Sequence, residues 1–99
     1  MATRKTLIIK AKLWKWGGTA SWFFVHTGQK ETKMLREMPR AKKGGFGSVR
    51  VRCTMGKTTW ETSLFPSKEG PYLLPIKASV RRAEGISEDD VVKIVCALI

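Results

Sequence analysis

The stretch Val49-Arg50-Val51-Arg52-Cys53-Thr54-Met55-Gly56-Lys57-Thr58-Thr59-Trp60-Glu61-Thr62-Ser63-Leu64 decides the fold. Val49, Val51, Cys53 and Met55 alternate with Ser48, Arg50, Arg52 and Thr54, the period of two of a strand with one apolar face. Gly56-Lys57 predicts a two-residue hairpin turn with glycine at its first central position. Closing that turn between Met55 and Thr58 sets Cys53 opposite Trp60, Val51 opposite Thr62 and Val49 opposite Leu64 on a core-facing side. Arg52 then faces Glu61 on the other side, as a solvated cross-strand ion pair.

The rest of the chain repeats this logic. In Thr6 to Trp16, Leu7, Ile9, Ala11 and Leu13 hold one parity while Ile8, Lys10, Lys12 and Trp14 hold the other, which predicts one strand with an apolar and a mostly basic face. Gly17-Gly18-Thr19 marks a turn, and Trp22 to Val25 a buried second strand. Glu31 to Met38 is free of Gly and Pro, spaces Met34, Leu35 and Met38 helically, and is stopped by Pro39. Arg40 to Gly47 is expected to be a mobile basic loop, and Tyr72 to Leu74 a short strand. A second short helix is expected over Lys77 to Glu84, with Ile76, Val80 and Ala83 on one stripe and Gly85 at its end. Val91 to Ile99 is apolar on both parities except Lys93, so it is expected to be a central strand buried on both faces. Strands dominate, short helices punctuate them, and 99 residues suit one domain, residues 1–99.

Charge is the outlier in an otherwise ordinary globular composition: the formal net charge is +11. Met1 to Lys57 holds fourteen Lys and Arg against Glu31 and Glu37, a net +12, and the remainder is slightly acidic. Such a field draws nucleic acid or other polyanions, and it speaks to association more than to fold. No apolar run reaches the roughly 18 residues of a membrane-spanning helix. Lysines interrupt the apolar start too early for a secretion signal, so a cytoplasmic protein is expected, a monomer or small homo-oligomer with no membrane partner.

No motif for catalysis stands out. His26 is the only histidine and has no local carboxylate beside it. Glu88-Asp89-Asp90 is expected to be an exposed acidic turn that caps the last strand or answers Lys93. Cys53 and Cys96, each inside an apolar run without a close partner in sequence, make neither a disulfide framework nor a zinc motif. No catalytic residue, metal site or cofactor is therefore expected. Gly44 to Gly47 lacks the spacing of a phosphate-binding motif, although Lys42 and Lys43 beside it suit a small anion nest. Of the four tryptophans, Trp22 and Trp60 are expected in the core, whereas Trp14 and Trp16, interleaved with Lys15, suit base stacking in a groove. Lys77 and Arg81 stand four apart on one helical face, a like-charged pair that an anionic neighbour would relieve.

The blocks Gly45 to Val51, Trp60 to Pro66 and Tyr72 to Arg81 resemble an uncharacterised bacterial small-barrel family of unknown function, whose members occur alone or beside YdeI/OmpD-associated domains. That resemblance implies a double-split β-barrel. Leu74-Pro75-Ile76-Lys77, Val80-Arg81-Arg82 and Gly85-Ile86-Ser87-Glu88-Asp89-Asp90-Val91-Val92 are also similar to the signature of AbrB-like DNA-binding barrels, with Asp89 where those proteins carry Gly.

The expectation is a mainly β, small double-split barrel of about six or seven strands with two short helices, acting as a non-enzymatic binding module. Its first reading is nucleic-acid or other polyanion binding through Lys10, Lys12, Lys15, Lys42, Lys43, Arg50, Lys77 and Arg81, with Trp14 and Trp16. The alternatives are a small anionic ligand at the barrel mouth, lined by Trp60, Tyr72 and Phe65 with Arg50 or Arg81 as anchor, or a protein-interaction module.

Overall fold

A computed structural model describes residues 6–17, 22–39 and 43–99. Seven strands form one sheet in the order β1-β7-β4-β5-β6-β3-β2. They are β1 (Thr6–Lys12), β2 (Trp14–Lys15), β3 (Phe23–His26), β4 (Val49–Met55), β5 (Thr58–Pro66), β6 (Tyr72–Pro75) and β7 (Val91–Leu98). Helix α1 (Gln29–Arg36) lies between β3 and β4, and helix α2 (Ala78–Glu84) between β6 and β7.

The hairpin keeps the register read from sequence: Cys53 faces Trp60, Val51 faces Thr62 and Val49 faces Leu64. Gly56 takes φ +57° at the turn, a conformation glycine adopts without steric cost. Arg52 meets Glu61 with Nη2 at 2.9 Å and Nε at 3.1 Å from the same carboxylate oxygen.

The single strand expected over Thr6 to Trp16 is broken at Leu13. Leu13 N–H donates to the Asp90 carbonyl at 2.9 Å, and Asp89 N–H donates to the Leu13 carbonyl at 2.7 Å. The loop before β7 thus takes Leu13 out of the ladder, and its side chain is fully buried. The break has a topological effect. β1 pairs with β7 along one edge of the sheet and β2 pairs with β3 along the other, so one bent strand brings the two edges together into a nearly closed barrel.

Other elements shift slightly. β3 starts one residue later than expected because its register is set by β6, with His26 opposite Leu73 and Phe24 opposite Pro75. Helix α1 begins at Gln29, where Thr32 N–H donates to the Gly28 carbonyl, and the amides of Glu37 and Met38 close its last turn just before Pro39. On α2, Val80 packs into the core with the preceding Ile76 while Ala83 faces outward, and Gly85 ends the helix at φ +62°. Residues 43–47, expected to be a mobile loop, form a hydrogen-bonded 3-10 turn over Gly45–Gly47, closed by Gly44 N–H on the Ser48 carbonyl at 2.7 Å.

β7 is central, between β1 and β4, but it is buried on one face only. Val92, Ile94 and Cys96 point into the core, while Val91 and Val95 are exposed beside Lys93. The apolar run on both parities was expected to reflect two covered faces; here the outer parity is aliphatic, and no layer of the described residues covers it. The barrel core joins these inward residues to Leu7, Ile9, Val25, Val51, Trp60, Leu64 and Leu74.

Candidate nucleic-acid interface and adjoining groove

The outward face of β1, β7, β4 and β5 can be laid out from its register. Lys10 stands directly opposite Lys93, Lys12 opposite Val91, and Ile8 opposite Val95. On the β4 side, Thr54 continues the Ile8–Val95 row, and Arg52 lies beside Ala97 with Glu61 beyond it. Arg50 follows one step further along, 4.0 Å from the other Glu61 oxygen and facing Ser63. Successive rows on one face are separated by two residues, about 7 Å. Glu61 is the single carboxylate on these four strands and is shared by Arg50 and Arg52, so Lys10, Lys12 and Lys93 are left without an ion-pair partner among the described residues. Lys93, expected to answer the Glu88–Asp90 turn, instead opposes another lysine. Asp90 is engaged locally, its carboxylate accepting the Ser87 N–H at 2.8 Å.

Along the same parity β1 runs into the aromatic half of the outer surface. Trp14 lies 5.3 Å from Phe24 and 5.0 Å from His26 between ring centroids, and Trp22 stacks nearly parallel to Phe24 at 6.1 Å. Trp14, Trp16, Trp22, Phe24 and Leu73 line a shallow depression of about 320 Å³. Trp22, expected in the core, is 53% exposed, because β3 turns its even parity outward and only Val25 fully inward. His26 is occupied by stacking on Trp14.

A second concavity occupies the split in the barrel where α2 spans between β5 and β3. It encloses about 470 Å³ and includes Trp22, Phe23, Trp60, Phe65, Lys77 and Arg81. Of the residues expected at a barrel mouth, Trp60, Phe65 and Arg81 come together here. Tyr72 and Arg50 do not: Tyr72 is buried with its hydroxyl 3.5 Å from Lys43 Nζ, and Arg50 lies on the sheet face. The Arg81 guanidinium lies over the Phe23 ring, 3.7 Å from its centroid. Lys15, whose register partner is Phe23, lines an adjoining surface with Arg81 and Arg82.

Lys43 also donates to the Arg36 carbonyl at 3.3 Å, and Lys42 lies outside the described residues. The cationic residues expected to act together therefore fall on three surfaces: the sheet face, the split, and the turn beside α1. Sequence reasoning missed Lys93, whose only signal was a lone cation in an apolar run. It also missed Phe46, which is 99% exposed and held at φ +60° in the 3-10 turn.

Cys53 and Cys96, distant in sequence, are register partners on β4 and β7 with their sulfurs 3.4 Å apart in the core. The hydrogen bond to Cys96, then burial, then the adjacent sulfur's charge, push the Cys53 thiol well above the ordinary thiol range. Such a thiol is a poor nucleophile at neutral pH. Among the described residues no three His, Cys, Asp or Glu side chains cluster in a way that suits a metal ion, and no helix is long and apolar enough to cross a membrane.

Residues 10–95 match the domain of unknown function DUF1905. No curated protein matches the chain.

Proposed function

The chain belongs to the DUF1905 family, and on that premise we propose that it is a binding module for nucleic acid, held on the outer face of the barrel and in single-stranded form. The observation that carries this function is the Lys10–Lys93 pair. Two like charges directly across an antiparallel ladder oppose folding, and here Lys12 flanks them with no carboxylate to neutralise them. A phosphate backbone supplies the missing countercharge. The exposed Ile8, Val91 and Val95 between the cations suit sugar and base surfaces.

Preference for a single strand comes from the continuation of the same strand into Trp14 and Trp16. Cations that track phosphates beside indoles that stack bases are the general arrangement of sequence-tolerant single-strand binders. The similarity of Leu74–Lys77 and Gly85–Val92 to AbrB-like DNA-binding barrels favours the same class of partner. Such a module works in the cytoplasm.

Fluorescence-anisotropy titrations with labelled single- and double-stranded DNA and RNA, repeated over a salt series, test the proposal. Three phosphate contacts through Lys10, Lys12 and Lys93 give a slope of log affinity on log salt of roughly −2 for a single strand. Absence of binding at low salt, or binding indifferent to salt, overturns it.

A further inference from the structure

Among the described residues Arg81 is the one arginine stacked on an aromatic ring, and no carboxylate pairs with its charge. All eight Asp and Glu residues lie within the described part of the chain, and none forms an ion pair with Arg81. Its Nε is buried and has no acceptor among the described residues. Phe23 holds the guanidinium plane from one side, which fixes the direction of its donor fork and removes much of the rotamer freedom that a ligand would otherwise have to freeze.

The neighbourhood repeats that chemistry. Trp60, 6% exposed, lines the same split, and its indole Nε1 also has no acceptor among the described residues. Lys77 stands at the rim and adds a second positive charge. Glu61 also lines the split, and its carboxylate is engaged by Arg52 rather than by Arg81. Trp22 and Phe65 are both large aromatics left substantially exposed at this groove. A concavity with aromatic walls, a pre-oriented guanidinium and unmatched N–H donors selects a flat ring bearing one carboxylate. Guanidinium and carboxylate match in planar, two-pronged geometry, and the ring gains the stacking that the exposed aromatics offer. The volume of about 470 Å³ is within the range of small-molecule sites.

We propose that the split between α2 and β5 is a binding site for a small aromatic carboxylate, with Arg81 as its anchor; it shares Trp22 with the aromatic depression but none of the sheet-face lysines. The site is distinct from the Lys10–Lys93 ladder, so either can fail alone.

Isothermal titration of the full chain with benzoate and indole-3-acetate tests it, with neutral benzamide, acetate and inorganic phosphate as the discriminating probes. Saturable binding of the aromatic acids is expected at up to millimolar concentration, with benzamide, acetate and phosphate all weaker. Arg81→Gln is expected to weaken the aromatic acids roughly ten- to hundredfold, as for loss of a hydrogen bond to a charged group. Arg81→Lys keeps the charge but not the fork, and is expected to weaken them as well; it serves if the glutamine variant unfolds. Lys93→Glu is expected to leave this affinity unchanged. Equal binding of benzamide shows that the guanidinium does not anchor the ligand, equal binding of acetate or phosphate shows that the ring is not recognised, and no saturable binding shows that there is no site; each overturns the proposal.

Discussion

Replacing Lys93 with glutamate should make the protein more stable and a weaker nucleic-acid binder at the same time. Lys93 lies directly opposite Lys10 in the β1–β7 ladder, where opposed Cβ atoms are about 5 Å apart. Two ammonium groups about 6 Å apart in water repel by about 0.7 kcal/mol, within the ~0.2–1 kcal/mol range for such cross-strand pairs. Lys93→Glu turns the repulsion into an attraction of similar size. Both side chains are exposed and lose rotamer freedom when they pair, so the expected net gain is about 0.5 to 1 kcal/mol. For a domain of this length that is a rise in Tm of about 2 to 8 °C. Thermal melts followed by circular dichroism measure it, and in about 1 M salt, where the screening length is about 3 Å, the gain should disappear. In parallel anisotropy titrations the variant loses one phosphate contact, so the salt slope for single strands becomes shallower by roughly 0.7. A lower Tm, a gain that survives high salt, or an unchanged salt slope refutes the reasoning.

Trp16→Ala and Trp22→Ala should each weaken single-stranded binding by about 1–3 kcal/mol, the contribution of one base stacked on an aromatic, with little change in melting because both indoles are exposed; equal loss for duplex DNA argues against stacking. Gly56→Ala should cost about 1–3 kcal/mol in urea denaturation, since it places a side chain at φ +57° and drives its Cβ into the Glu84 carboxylate, which accepts from Lys57 N–H and Thr58 Oγ1. Cys53 gives a pH signature. Its folded thiol is held above the unfolded value, so the unfolded chain releases a proton first, and stability is unaffected below about pH 8.5 and falls above it by up to about 1.4 kcal/mol per pH unit. Comparing wild type with Cys53→Ala isolates this slope from the lysines, and identical slopes in the two proteins count against it.

The hairpin was legible to the residue because its information is local: a period of two, a glycine turn and a count outward from it. The Leu13 break was not legible, since it is made by Asp89 and Asp90, more than seventy residues away in sequence. A separation of 43 residues likewise hid the Cys53–Cys96 contact, which depends on β4 lying next to β7. In β7 the pattern failed for another reason. An aliphatic outer parity reads the same whether a layer covers it or not, and only the tertiary arrangement shows Val91 and Val95 facing outward. Trp22 misled in the same way, because an indole satisfies a core and a stacking surface equally well. The cations were individually legible, but their division among three surfaces was set by register and by the placement of α2.

The bent first strand also imposes an order on how the protein is made. β1 is paired by seven residues, from Thr6 with Ala97 to Lys12 with Val91, all supplied by the last strand of the barrel. At a synthesis rate of about 5–20 residues per second, β1 leaves the ribosome on the order of ten seconds before its partner exists. Through that interval Leu7, Ile9 and Ala11 form an unpaired apolar edge, the kind of segment that captures foreign strands. Lys10 and Lys12 alternate with them on the opposite parity and repel a second nascent copy of the same segment. The lysines of this strand thus guard the chain against misassembly before the barrel closes, and only afterwards come to stand against Lys93.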